Sequence, residues 1–254
     1  MIRTMLTAAE VIAVMYFGLC AALFALQRSL IYFPPPPSPG PHPRAFTLSV
    51  EGADVCVTAR VHSGPNAVIY FGGNAEDVGQ SLPALLAAFP DDALYLMNYR
   101  GYGGSSGTPS EAALFADSLA LFDRVRSDHE TVVLVGRSLG SGVAVHLASR
   151  RPVSRLVLVT PFDSLRELAA RQFPYLPVRY MLRDKFESSR FAGAITAPTL
   201  VIAAEHDEVI PRRSTESLLT RFRTGVASLV VVPAVGHNTI SGHPDYIHLL
   251  TGVP

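Results

Sequence analysis

The sequence predicts an α/β fold, a mostly parallel twisted sheet of about eight strands with helices on both faces. Three observations predict it. From residue 45 onward, short β-branched runs alternate with helix-like segments. The apolar run Val132–Val135 meets Gly136-Arg137-Ser138-Leu139-Gly140, and a helix-like segment follows directly. Strand, tight turn and helix in that order make the setting a nucleophile elbow needs. Finally, the long apolar segment Met5 to Leu26 stands apart from the alternation, ahead of it in the chain.

That first segment carries only Glu10 and a few small polar residues as interruptions. Its 22 residues, as a helix, span about 33 Å, enough for a bilayer core of about 30 Å. We expect residues 1–30 to form a single-pass membrane anchor. A cleaved signal peptide is the rival reading, but the run is long for one and no small-x-small pattern ends it. Arg3 and Arg28 flank it evenly and leave the side of the membrane open. Residues 31–44 hold Pro34 to Pro37, Pro39, Pro41 and Pro43, and read as a stiff spacer holding the following domain off the membrane.

Residues 45–254 carry the alternation. Ala45–Val50 and Val55–Val61 read as a half-exposed hairpin, and Ala67–Phe71 as a buried strand ended by Gly72-Gly73-Asn74. Helix Leu82–Phe89, strand Ala93–Met97 and a Gly-rich loop at Arg100–Gly107 follow, then helix Glu111–Arg126. Beyond the elbow come helix Ser138–Ser149, strand Leu156–Val159, an irregular stretch at 161–198, strand Thr199–Ala203, helix Ser214–Phe222, strand Ser228–Val232 and a last helix near Asp245–Leu250.

Composition narrows the function. Lys+Arg and Asp+Glu are both 21, so the net charge is zero and no basic footprint for nucleic acid exists. Cys20 and Cys56 are the two cysteines, one of them in the apolar segment, which excludes a disulfide framework or a cysteine metal site. No carboxylate and histidine pattern at metal spacing appears, so no metal or other cofactor is expected. The Arg100–Gly107 loop lacks a P-loop lysine and is read as a structural loop shaping the site.

A serine hydroxyl becomes a nucleophile when a base takes its proton, and the base needs an orienting acid. Sites in parallel sheets lie past the carboxyl ends of the strands. Ser138 is the candidate nucleophile. Asp207, just past strand Thr199–Ala203, is the candidate acid, with Glu205 and Glu208 beside it and Asp163 as an alternative. Asp163 reads more simply as the N-cap of a helix starting at Ser164 or Leu165. His237, past strand Ser228–Val232, is the candidate base. Of the other seven histidines, His42 and His62 stand before the core, His129 at the wrong sheet end, His146 inside a helix, His206 beside the acid, and His243 and His248 beyond the loop, in or near the last helix. Developing oxyanion charge needs preset N–H donors. Leu139 N–H and Asn74 N–H are the candidates, with Gly73 the alternative to Asn74.

These segments together resemble the α/β-hydrolase superfamily, and within it the membrane-anchored, Bem46-like αβ-hydrolase-domain serine hydrolases. The resembling stretches are Gln27–Pro34, Tyr70–Ala75, Asn98–Gly103, Gly136–Gly142, Thr160–Leu165, His206–Pro211 and Gly236–Asn238. The resemblance implies a serine hydrolase acting on carboxylic esters or thioesters of lipids or other small acylated molecules, with a short cap at 161–198 and an open site. It shows one departure: Gly72 stands where the family has a histidine before Gly-Asn. A peptidase acting on short peptides and a non-catalytic binding protein are the competing readings, since this fold hosts several functions.

Overall fold

The structure is a computed structural model that describes residues 2–36 and 45–252. Eight strands form one sheet: β1 (Ala45–Val50), β2 (Ala53–Arg60), β3 (Asn66–Phe71), β4 (Ala93–Met97), β5 (Thr131–Arg137), β6 (Arg155–Val159), β7 (Thr199–Ala204) and β8 (Ala227–Val232). Their order is β1-β2-β4-β3-β5-β6-β7-β8. β1 and β2 form the expected antiparallel hairpin, β2 pairs antiparallel with β4, and every later pairing is parallel.

The central strands are apolar at successive positions because both faces are covered. In β3, Ala67, Ile69 and Phe71 join one core while Val68 and Tyr70 join the other. The first core packs beneath α3 (Glu111–Arg126), α4 (Leu139–Ala148) and α8 (Arg212–Leu219), through Leu114, Leu121, Val143, Leu147 and Leu218. The second packs beneath α2 (Leu82–Ala88) and α9 (Tyr246–Leu250), through Leu85, Tyr246 and Leu250. α4 carries apolar or small residues on nearly every face because all ten of its residues are buried. Ser110 caps α3 by accepting the Ala113 N–H.

The stretch at 161–198 is more regular than its sequence suggests. It holds α5 (Leu165–Gln172), α6 (Val178–Met181) and α7 (Ser188–Phe191). The cap of α5 is Ser164, which accepts the Glu167 N–H, and not Asp163 as expected. The Gly-rich loop also differs from expectation. It braces the hairpin, through Ser105 Oγ to the Cys56 N–H and Ser106 Oγ to the Asp54 N–H, and Arg100 forks onto Asp117. None of its residues reaches the cavity described below.

α1 (Ile2–Ile31) is one continuous helix. Its part from Ala9 to Ile31 is 23 residues long with mean hydropathy 2.1, long and apolar enough to cross a membrane. The lower half of α1 contacts the domain directly. Gln27 Nε2 donates to Met181 O, Gln27 Oε1 accepts the Arg183 N–H, and Arg28 pairs with Asp184 at 3.0 Å. The helix therefore docks on the cap before the prolines begin. Residues 37–44, most of the proline-rich segment, lie outside the described residues.

Candidate active site

The elbow forms where β5 ends and α4 begins. Ser138 adopts φ 49°, ψ −117°, a left-handed conformation disfavoured for a side-chain-bearing residue. The two glycines are required by contact. A Cβ on Gly136 would lie 2.6 Å from Gly140 O, and one on Gly140 would lie 2.1 Å from Phe71 O. The sharp turn lets β5 and α4 pass this close, and it presents Ser138 Oγ to the cavity.

The three candidate side chains meet although they lie far apart in sequence. His237 Nε2 is 3.0 Å from Ser138 Oγ, and His237 Nδ1 is 3.0 Å from Asp207 Oδ2. Both His237 and Asp207 side chains are only 6% exposed. Asp207 Oδ1 also accepts the Val209 and Ile210 N–H groups, which fixes the carboxylate. Its acidic neighbours do other work. Glu205 accepts the Ala234 N–H and Glu208 accepts the His237 N–H, so both hold the histidine loop by its backbone. The hydrogen bond from His237 N–H and one within Glu208 itself hold the Glu208 carboxyl below its usual range. Asp163, the alternative acid, instead accepts from Ser214 Oγ at 2.5 Å and from the Ser164 N–H, away from His237.

Of the candidate oxyanion donors, Leu139 N–H and Asn74 N–H have no acceptor among the described residues, and both residues line the cavity beside Ser138. Gly73, the alternative, already donates its N–H to Glu76 Oε2 at 2.6 Å.

Glu76 was not singled out in the sequence, yet it organises this loop. It accepts from Gly73 N–H, from Tyr70 OH, from Ser81 Oγ and from Arg137, the last at 3.0 Å. Arg137 also reaches His237 O at 3.5 Å. Tyr99 OH donates to Gly72 O at 2.7 Å. Burial pushes the Tyr70 and Tyr99 phenols well above their usual range, so both remain donors. The departure at Gly72 has a steric basis: a Cβ there would lie 2.7 Å from Val78 Cγ1. A histidine does not fit, and the Glu76 network braces the loop. The available signal was Arg137 itself, a charge between a buried strand and the elbow serine, which needs a buried counter-charge.

A cavity of about 440 Å³ opens in front of Ser138. Its walls are mostly apolar: Leu165, Leu168, Phe173 and Leu176 from the cap on one side, Leu23, Phe24 and Ile31 of α1 on another. The expected open site is thus partly walled by α1. Among the described residues, no group of three or more His, Cys, Asp or Glu could hold a metal ion.

The fold agrees with the comparisons to known proteins. A family profile described as alpha/beta hydrolase fold matches residues 66–187. A Mycobacterium tuberculosis protein described as uncharacterized is 38% identical over 249 residues, spanning 90% of this chain and 86% of its own. The chain belongs to the α/β-hydrolase fold family. An alpha/beta hydrolase domain-containing protein of Caenorhabditis elegans, aho-3, is 35% identical over 189 residues, covering 72% of this α/β hydrolase and 55% of that one. Among solved structures, the mouse alpha/beta hydrolase domain-containing protein 10 superposes with TM-score 0.65 at 18% identity, over 82% of this chain and 96% of that one. The Pyrococcus furiosus esterase Pf2001 superposes with TM-score 0.67 at 16% identity, over 87% and 97%.

Proposed function

We propose that this α/β hydrolase is a membrane-anchored serine hydrolase of carboxylic esters or thioesters. One observation carries the reading: Ser138 Oγ, His237 and Asp207 form a continuous hydrogen-bonded chain, with 3.0 Å at each link. In this reading Ser138 Oγ attacks the acyl carbonyl carbon as His237 Nε2 takes its proton. Asp207 holds the tautomer that leaves Nε2 free to accept, and it stabilises the imidazolium. The Leu139 and Asn74 N–H groups receive the negative oxygen. His237 then returns the proton to the departing alkoxide or thiolate, leaving an acyl-serine. Water, deprotonated by the same imidazole, attacks that acyl group and frees the acid and Ser138.

Among the described residues, none that lines the cavity is acidic. That supports ester cleavage over a peptidase, which would need an anion to bind a peptide's terminal amine. The directed His237 supports catalysis over a purely binding role. The length and apolarity of α1 support a single-pass anchor. No cofactor enters the mechanism.

The test is covalent labelling of the full-length protein by a fluorophosphonate, which requires an activated serine. Wild type should label. Ser138→Ala should lose labelling entirely, and His237→Ala should slow it by about 10³-fold or more. A folded wild type that stays unlabelled defeats the reading.

A further inference from the structure

Two features above are not used by the mechanism: the apolar cavity wall contributed by α1, and the polar latch at Gln27–Tyr32 that presses α1 onto the cap. Together they point to a ligand. We infer that the cavity is an acyl-chain site loaded from the bilayer, with the membrane-spanning helix itself as the wall that sets chain length. This rests on the serine-hydrolase reading of Ser138.

The end of α1 sits at the reaction centre. Asn74 Nδ2 donates to Ile31 O at 2.7 Å, so the last turn of α1 is tied to the loop whose N–H faces the cavity. From there the lining runs up the helix through Phe24 to Leu23. Ile31 and Leu23 are eight residues apart, about 12 Å along the axis at 1.5 Å per residue. The opposing wall is Leu165, Leu168, Phe173 and Met181. A slot bounded this way suits an alkyl chain extending from a carbonyl at Ser138.

The same wall belongs to the segment that is long enough to span a membrane, Ala9–Ile31. A helix embedded there carries the cavity rim with it. The docking continues upward, since Tyr16 OH donates to Tyr175 O. Tyr16 and Ile31 are 15 residues apart, so the cap lies alongside about 22 Å of the helix. At that level the cap exposes Tyr175, which is 89% accessible, and Tyr180 of α6 is exposed as well. The outer face of α1 (Val14, Met15, Phe17, Leu26) is exposed and apolar, as a lipid-facing surface is. The latch is the remaining part: Arg28 and Tyr32 OH both contact the buried Asp184 carboxylate, and Gln27 bridges Met181 and Arg183. It keeps the lower half of a membrane helix in register with a catalytic pocket.

The full-length protein in phosphatidylcholine vesicles tests this in two ways. Hydrolysis of p-nitrophenyl palmitate and acetate gives the ratio of their kcat/KM values. Leu23→Trp, which fills the far end of the slot, should lower that ratio about tenfold or more, and Leu23→Ala should shift preference towards longer chains. A ratio unchanged in both variants overturns the inference, and the second variant answers if the first does not fold. Separately, a diazirine-bearing palmitate should photolabel Ser138→Ala protein on residues 20–31 and 165–182. A folded protein that takes up no label on residues 165–182 also overturns it. If wild type cleaves neither ester while the label still maps to α1, the hydrolase reading fails and the acyl site stands.

Discussion

Ser138 is held in its left-handed conformation by what surrounds it, and the same is true of the donors beside it. Such a backbone costs about 1–3 kcal/mol, so neighbouring contacts must fix it. On the Gly72–Asn74 side that role falls to Glu76. Removing its carboxylate leaves Gly73 N–H, Tyr70 OH and the largely buried Arg137 guanidinium short of an acceptor. A buried cation without its partner costs about 3 kcal/mol or more. Glu76→Ala should lower kcat roughly 10–100-fold with a smaller change in KM, because Asn74 N–H, the proposed oxyanion donor, loses its support. Glu76→Gln keeps an acceptor for Gly73 and should recover part of the rate. Steady-state kinetics of the two variants beside their melting temperatures separates positioning from stability: equal rates per folded molecule in both would show that Glu76 only stabilises the fold.

Among the elements, α1 is unusual in joining a membrane-spanning length to a specific polar seam. Arg28 is partly exposed and Asp184 is buried, with side chains 42% and 5% accessible. Arg28→Met keeps the apolar stem but leaves the Asp184 carboxylate, among the described residues, with Tyr32 OH alone at 3.3 Å. After allowance for solvent at the arginine, the expected loss is about 1–2 kcal/mol. It should appear as a lower melting temperature of full-length protein in mild detergent, and an unchanged one would mean the latch is not a stabilising seam. This latch also marks where sequence reading stopped. The strands were legible because their apolar runs are short and mostly bounded by glycine, proline or polar residues. Ser138, His237 and Asp207 were legible because each follows a strand's carboxyl end. The latch pairs residues more than 150 positions apart, and no local pattern announces such a pair. The cap helices were missed for a different reason. α5 has no fully buried residue, since its Leu165 and Leu168 pack only partly against the first core and also line the cavity, while α6 and α7 have four residues each, about one helical turn. One local signal was present, the capping pattern Ser164-Leu165-Arg166-Glu167.

At the scale of the whole molecule, stability should carry a signature of one histidine that the mechanism leaves aside. His146 sits in α4, stacked on Phe115 at 3.8 Å between ring centroids and set edge-on against Phe191. Burial, with help from Arg150, lowers its pKa to about 4 from the ordinary 6.5. Between those values the unfolded chain binds a proton that the folded chain does not. The contribution is therefore complete above pH 6.5 and is lost as pH falls from 6.5 towards 4. Phenylalanine preserves the ring contacts and cannot titrate. It also removes an Nδ1 that is buried without a partner among the described residues. His146→Phe should thus match or exceed wild-type stability at pH 7. Its advantage should widen by about 1–2 kcal/mol by pH 5. Taking the difference between the two proteins isolates this site from Glu111, whose carboxyl is raised by burial and titrates with the opposite slope. Thermal unfolding of both proteins across pH 5 to 7 reads the difference directly. Parallel curves would mean that the α4 pocket accepts a proton without penalty, and that the ring stack there is looser than its geometry implies.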